Sequence, residues 1–278
     1  MGEEIIDLQD FFQTAQGRYL LDWERAQMER VVADIFGFHA LQLGMPSFDS
    51  LVTNRMPHRW TASNDLAGLA RPQGSTAPAG GQAPGAKRPV VHLLCDFAAL
   101  PFPTNSLDLV VLPHTLELDA DPHATLREVE RVLVPEGRVV ICGVNPASLW
   151  GLRQRRARVY RRLGLGQLFL PREGEFIGYW RMRDWLRLLS FEVESGRFGC
   201  YRPAVFSERW LERFSWMDRA GARWWPIFGA VYFVVAVKRV RGMRLLGPAW
   251  KPAKARAAAP VSVANSVNSP QSRTLHEL

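Results

Sequence analysis

The sequence predicts an α/β protein, a doubly wound and mostly parallel sheet with helices on both faces. Three segments, Val90–Asp96, Leu107–Leu112 and Arg138–Val144, are apolar almost throughout and lack the alternation of a strand that has one face in water. Between the last two lies a helical pattern that opens with Asp121 as N-cap and Pro122 at the first helical position. Buried strands separated by a helix are typical of a parallel sheet that is covered on both sides.

The remaining elements follow from hydrophobic periodicity. Residues 17–36 carry apolar side chains near helical spacing, with charged side chains between them, and predict a helix that precedes a strand over 38–43. Further along, the pattern predicts a helix over 183–190, a strand at 191–193, a helix over 207–220 and a long apolar strand over 228–240.

The chain divides into three parts. A length of 278 residues suits one enlarged domain with tails. We expect an N-terminal helical segment (1–36), a central domain (37–240) and a disordered basic tail (241–278). Within the central domain, residues 71–89 are dominated by proline, glycine and alanine and predict a flexible insertion, and residues 146–180 form a second insertion.

The positive charge is concentrated in two regions. Net charge is +8, and the eight arginines between 138 and 172 have no acid among them. Residues 238–278 add eight basic side chains against one acid, so the rest of the chain is mildly acidic. Such asymmetry suggests an anionic partner, namely acidic lipid, nucleic acid or an acidic substrate. For the arginine cluster Arg153–Arg162, a solvated helix face is an equal alternative.

Several classes of protein are excluded by composition. With 47% hydrophobic and 22% charged residues, the chain is not collagen, a coiled coil or wholly disordered. Its three cysteines form no CxxC pair, so we expect neither a disulfide framework nor a metal site. The longest apolar stretch, Trp224–Val237, is too short to cross a bilayer, and we expect its Trp224-Trp225 pair to pack in the core or at a helix end. The acidic N-terminus lacks signal-peptide character, and we expect a cytoplasmic protein.

One stretch identifies a family. Residues 95–146 run from an acid that follows a strand, through LPFPTNSLDLVVLPHTLE, to LREVERVLVPEGRVVI. This order resembles the Rossmann-like (class I) S-adenosylmethionine-dependent methyltransferases of the methyltransferase type 11 group. The resemblance implies an enzyme that transfers a methyl group from S-adenosylmethionine, built on a sheet of seven strands. It also implies that the 146–180 insertion covers the methyl acceptor.

The resemblance also implies the cofactor site, at the carboxyl ends of the strands. Asp96 would bind the adenine amino group, the backbone N–H of Phe97 would meet an adenine nitrogen, and His114 would lie near the methionine half. The full set of expected cofactor contacts is Leu43, Gly44, Cys95, Asp96, Phe97, Pro113 and His114. No catalytic residue is assigned. The candidates for a base, should the acceptor need one, are His114, Glu117 and Tyr179.

The chain departs from the family at the first strand. Family members carry an acid and a glycine-rich turn there, whereas this chain has Gln42 in place of the acid and keeps one glycine, Gly44. The acid expected after the second strand has only Asn64 and Asp65 as candidates.

Three functions stay open. The first is methylation of a hydrophobic or lipid-like small molecule such as a quinone precursor, with Arg153–Arg162 touching an anionic membrane. The second is methylation of RNA or protein, although no RNA-binding module is visible, which makes nucleic acid the less favoured partner. The third is a binding module on a methyltransferase fold with weak or lost catalysis.

Overall fold

Seven strands form a single sheet in the part of the chain that the computed structural model describes, residues 8–64, 91–162, 176–205 and 207–240. Their order is β3-β2-β1-β4-β5-β7-β6. Neighbours are parallel except at β7, which runs antiparallel to both β5 and β6. The strands are β1 (His39–Leu43), β2 (His58–Ser63), β3 (Leu93–Leu94), β4 (Leu107–Pro113), β5 (Leu133–Val144), β6 (Phe191–Gly199) and β7 (Val231–Lys238). The seven-stranded, mostly parallel sheet of the prediction is confirmed.

Eight α-helices and one 3-10 helix accompany the sheet within these ranges. They are α1 (Leu8–Gln13), α2 (Ala15–Val32), α3 (Thr115–Leu118), α4 (Pro122–Val132), α5 (Leu149–Arg162), α6 (Tyr179–Leu188), α7 (Glu208–Arg213), α8 (Trp216–Trp224) and the 3-10 helix Pro226–Phe228. No described helix combines the length and the hydropathy that a membrane crossing requires. The predicted flexible insertion 71–89 and the tail 241–278 lie outside the described residues.

Side chains along the central strands point alternately to the two faces of the sheet, and both faces are packed against helices. On β4, Val110 and Leu112 point to the side occupied by α4 and α6, while Leu109 and Val111 point to the side occupied by α2. The same alternation continues on β5 and β7, where neighbouring side chains join opposite clusters. Since each face carries a continuous apolar surface, each must be covered, which explains the runs that lack polar positions.

The N-terminal helices pack closely on each other and on the sheet. On α2, Met28 and Val32 join the apolar cluster of one sheet face. Phe11 and Phe12 of α1 join Val144 and Val231, which stand at the end of β5 and the beginning of β7. Gly17 makes this possible, because a Cβ there would collide with the backbone of Phe11 and Phe12. Helix α1 therefore lies against the carboxyl end of β5.

Several local predictions were wrong in extent, and three of them change the architecture. The buried strand expected over Val90–Asp96 is the two-residue β3, which is partly exposed because it lies at the edge of the sheet and pairs only with β2. The helix expected over 207–220 is two helices, α7 and α8. The strand expected from residue 228 begins at Val231, after the 3-10 helix. Its predicted antiparallel pairing with the strand at Phe191 is confirmed.

Candidate functional site

The candidate site lies where the order of the strands reverses. β1 pairs with β2 on one side and with β4 on the other, so the chain passes from one half of the sheet to the other between β1 and β4. In open α/β sheets, ligands bind beyond the carboxyl ends of the strands at such a point. Leu43-Gly44 and Pro113-His114 end these two neighbouring strands, so the structure brings two of the expected contact groups together. The third group, Cys95–Phe97, follows β3 on the same edge of the sheet.

Gly44 and Thr115 join the two strand ends. The hydroxyl of Thr115 donates to the carbonyl of Leu43 at 2.5 Å. Gly44 has φ +73°, a left-handed conformation that favours glycine, and a Cβ there would lie 3.1 Å from Oγ1 of Thr115. The single glycine kept from the family motif is thus required both by its backbone angle and by its neighbour.

Gln42 holds the turn that follows β1. Its Nε2 lies within hydrogen-bonding distance of the carbonyls of Gly44, Met45 and Phe48, at 3.2, 3.1 and 2.7 Å. Its Oε1 accepts from the backbone N–H of Ser50 at 2.8 Å. The side chain is fully buried. A carboxylate in this position would face three carbonyl oxygens, which explains why this turn carries an amide where the family carries an acid.

A buried ionic cluster stands beyond the end of β4. His114 is fully buried, and its two ring nitrogens lie 2.9 Å from Oε2 of Glu117 and 2.8 Å from Oε1 of Glu24. The other oxygen of Glu117 accepts from the backbone N–H of Val144 at 2.5 Å. The ring of Phe12 covers the imidazole at a centroid distance of 5.3 Å. The cluster therefore connects α2, the end of β4, α3 and the end of β5.

The contacts of this cluster are those of an imidazolium between two carboxylates. Burial by itself lowers the pKa of His114, but the facing carboxylates of Glu24 and Glu117 outweigh it and raise the pKa to about 10. Burial raises the pKa of Glu117, against the opposing effects of His114 and of the Val144 N–H. Because His114 keeps its proton at neutral pH, it does not serve as a general base there.

Glu24 is the residue that sequence reasoning missed. The helical pattern over residues 17–36 counts it among the charged side chains between the apolar positions, yet it is fully buried. Its spacing from Leu20, Gln27 and Met28, which are also buried, puts it on the inner stripe of α2, and this signal could have identified it. Its second oxygen, Oε2, has no hydrogen-bond partner among the described residues.

The contacts expected for adenine lie at the end of β3. Asp96 is exposed, and its Oδ1 accepts from the backbone N–H of Ala98 at 2.9 Å, so the carboxylate shapes the turn as well as facing solvent. The side chain of Phe97 is buried in the core, which leaves its backbone for a ligand. Burial, and to a lesser extent Asp96, raises the pKa of the half-buried Cys95 thiol.

The other expected residues lie around this edge. Asn64, after β2, is exposed, and Asp65 lies outside the described residues. Tyr179 packs on Tyr232 at a ring-centroid distance of 6.2 Å, and the hydroxyl of Tyr232 stands against Gly143 near the end of β5. Among the residues that the structure describes, no group of three or more histidines, cysteines or acids could hold a metal ion.

Comparison with known proteins agrees with this architecture. The methyltransferase domain family matches residues 62–141, which contain the end of β2, β3, β4, α4 and most of β5. Among curated proteins, the uncharacterized protein YafS of Escherichia coli is 41% identical over 103 residues, which is 37% of this chain and 40% of YafS. A malonyl-[acyl-carrier protein] O-methyltransferase of Halorhodospira halophila is 38% identical over 79 residues, which is 28% of this chain and 26% of the relative. The matches thus span less than half of either relative.

Solved structures show the same fold at low identity. A chain of the complex between the Haloferax volcanii Trm112 methyltransferase activator and its candidate methyltransferase superposes with a TM-score of 0.53 at 15% identity, covering 81% of this chain and 94% of the other. A methyltransferase from Archaeoglobus fulgidus that depends on S-adenosylmethionine gives a TM-score of 0.51 at 16% identity, covering 78% and 94%.

Restoring the family acid should destabilise the first turn. We expect Gln42→Glu to cost about 3–5 kcal/mol of unfolding free energy at neutral pH, because it places an uncompensated charge in a buried site. The deficit should shrink as pH falls, since a protonated carboxyl can donate. Urea unfolding measures both effects, and Gln13→Glu at an exposed position is the control. A stable Gln42→Glu variant would contradict the role given to the amide.

The ionic cluster should make stability depend on pH. The folded state keeps the His114 proton up to about pH 10, whereas the unfolded chain loses it near 6.5. Above pH 6.5 the folded state therefore binds more protons, and this contribution to stability falls as pH rises through 10, by at most about 1.4 kcal/mol per pH unit.

Glu24→Gln should flatten this dependence, because it removes one of the charges that raise the pKa of His114. Urea unfolding between pH 6.5 and 9 should show a shallower loss in this variant than in the wild type. Glu29→Gln, an exposed change on the same helix, should keep the wild-type slope. Equal slopes for Glu24→Gln and the wild type would show that Glu24 does not help to hold the proton on His114.

Proposed function

We propose that this chain, a member of the type 11 group of class I methyltransferases, transfers the methyl group of S-adenosylmethionine to a hydrophobic, lipid-like small molecule. The observation that carries the proposal is the strand-order reversal itself, where Gly44 at the end of β1 lies against Thr115 just beyond β4. The match of residues 62–141 to the methyltransferase domain supports the same assignment.

The residues at the sheet edge suit the cofactor. Gly44 offers backbone without a side chain, and the exposed carboxylate of Asp96 can accept from the adenine amino group, with the backbone of Phe97 beside it. The cofactor supplies an electrophilic methyl group on a good leaving group, so the protein has mainly to align donor and acceptor.

An apolar cluster beside the strand ends supports the choice of an apolar acceptor. Phe11, Phe12, Val144 and Trp150 form one cluster at the carboxyl end of β5. We propose that residues 146–180, of which 146–162 and 176–180 are described, cover the acceptor from this side. A nucleophile that needs no general base is the best match, because His114 is protonated and Glu117 is occupied by His114 and Val144.

A peripheral contact with an anionic membrane through Arg153–Arg162 is part of this proposal, as is a cytoplasmic location. Arg155 and Arg156 are exposed on α5, and the side chains of residues 158–175 lie outside the described part. Changing Arg155, Arg158 and Arg162 to Gln should then reduce binding to anionic vesicles without changing cofactor affinity.

A second candidate is a binding module on the same fold. The turn after β1 favours this candidate. There Gln42 replaces the acid, and its side-chain amide forms its hydrogen bonds with the turn itself. Calorimetry with S-adenosylmethionine separates the two candidates. Absence of binding at millimolar cofactor would favour the binding module and reject the enzyme.

Asp96 gives a sharper test of the cofactor site. Asp96→Ala should weaken S-adenosylmethionine binding roughly tenfold, which corresponds to one lost hydrogen bond. Because Oδ1 of Asp96 also holds the turn through Ala98, Asp96→Asn is the matched variant: it can keep that acceptor but replaces the other oxygen with a donor. A loss of affinity in both variants supports adenine recognition, and a loss only in Asp96→Ala would assign Asp96 to the turn.

Gly44→Val should weaken cofactor binding more than Asp96→Ala. The side chain would block the backbone's approach, and valine at φ +73° is strained. Thermal unfolding must accompany the calorimetry, since Thr115 leaves little room for a Cβ. A folded Gly44→Val protein with unchanged affinity would move the cofactor away from β1.

A further inference from the structure

The segment that leads into β7 carries a group of exposed apolar side chains, Trp224–Phe228, here called the projection. Every residue from Ala222 to Phe228 is exposed. Trp224 is 76% exposed, Phe228 54% and Ile227 45%, and Trp225 is exposed beside them. The pair stands at a helix end, because Trp224 is the last residue of α8 and Trp225 its C-cap, but the alternative that it packs in the core is wrong. A monomer seldom leaves so much contiguous apolar surface in water without a partner for it.

The backbone of this projection is held in place while its side chains face outward. Nδ2 of Asn145 donates to the carbonyls of Ile227 and Gly229, at 2.7 and 2.9 Å. The hydroxyl of Tyr201 donates to the carbonyl of Pro226 at 2.8 Å. The exposure is thus a built feature of the fold, because its backbone is fixed by buried polar groups.

Helix α8 extends the projection with a face of mixed character. At about 100° per residue, Trp216, Arg219, Arg223 and Trp224 fall within an arc of about 140°. Both tryptophans and both arginines are exposed. Gly221 and Asp218 lie on the opposite side, where a Cβ on Gly221 would collide with the ring of Tyr201.

The acid of α8 is turned away from this face. Asp218 accepts from the hydroxyl of Tyr19 and from the backbone N–H of Tyr201, and it forms an ion pair with Arg202 at 2.9 Å. The outward face of α8 is left with two cationic and two indole side chains. Its charge is therefore complementary to an anionic surface.

We propose that the outward face of α8 and the residues Trp224–Phe228 bind the headgroup region of an anionic phospholipid bilayer. Indole rings favour the membrane interface, and arginines extend to phosphates while their stems stay in apolar surroundings. The set projects from the surface, whereas a protein partner would need a groove shaped to receive it. A bilayer is a soft surface that accepts projecting side chains without such a groove.

The proposed docking face lies close to the candidate site. Asn145, which holds the projection, follows directly after β5, whose carboxyl end belongs to the candidate site. A protein docked through α8 would present that edge of the sheet near the lipid. This last step rests on the proposed function, but the docking itself does not depend on catalysis.

Vesicle flotation tests the proposal on the full chain, with vesicles of phosphatidylcholine alone and with added phosphatidylglycerol. The wild type should bind the anionic vesicles, and the binding should weaken as salt rises. Trp224→Ala/Phe228→Ala should reduce the partition coefficient at least about tenfold. Arg219→Gln/Arg223→Gln should reduce it about 25-fold, at roughly fivefold for each arginine near an anionic surface.

Matched control positions lie near the amino ends of β1 and β2, away from the projection. Phe36→Ala removes an aromatic side chain that is 74% exposed just before β1, and Arg30→Gln/Arg55→Gln removes two exposed charges. Both should bind vesicles like the wild type. Circular dichroism and calorimetry with S-adenosylmethionine on every variant separate a failure of docking from a failure of the fold or of the proposed function.

Four results would overturn the proposal. The first is a wild-type protein that does not bind anionic vesicles. The second is binding of the α8 variants equal to that of the wild type, which would assign any membrane contact to Arg153–Arg162. The third is an equal loss of binding in the control variants. The fourth is a wild type that dimerises without lipid and becomes monomeric with Trp224→Ala/Phe228→Ala, which would make this face a contact between copies.

Discussion

The buried contact of His114 with Glu24 and Glu117 is the interaction on which the rest of the site depends. Three ionisable groups leave water together, and each contact compensates the desolvation of its neighbours. Removing one partner would leave a buried charge uncompensated, so α2 cannot shift relative to the ends of β4 and β5 without a large cost. The N-terminal helices are therefore part of the site, although they lie outside the stretch that matches the methyltransferase domain.

The hydrogen bonds at the strand ends explain where acidic side chains are found in the candidate site. The turn after β1 is held by an amide, because three carbonyl oxygens converge on Gln42. Negative charge is found instead beyond β4, where a backbone N–H and an imidazolium can stabilise it. The departure of the first strand from the family pattern is thus a consequence of how this turn is hydrogen-bonded.

Apolar groups and positive charge meet at the carboxyl edge of the sheet. Phe11 and Phe12 close over the end of β5, and Asn145 ties the same end to the exposed aromatic side chains of the α8 projection. A hydrophobic acceptor and a lipid surface are compatible requirements at this edge, since both favour apolar surroundings. The proposed chemistry and the proposed docking surface therefore agree, although each stands on separate observations.

By itself, the sequence determined the sheet, the helix that begins after Asp121 and the residues that end the strands, because apolar periodicity and capping act over a few residues. Its resemblance to a known family, rather than periodicity, made Gly44, Asp96 and His114 candidates for cofactor contacts. Only the tertiary structure decided that Glu24 contacts His114, 90 residues away in the sequence. The same holds for the hydrogen bonds of Gln42 to the turn after β1 and for the exposure of Trp224. Those outcomes depend on which elements pack together, and a polar side chain on α2 or an indole in an apolar stretch carries no local sign of its eventual neighbour.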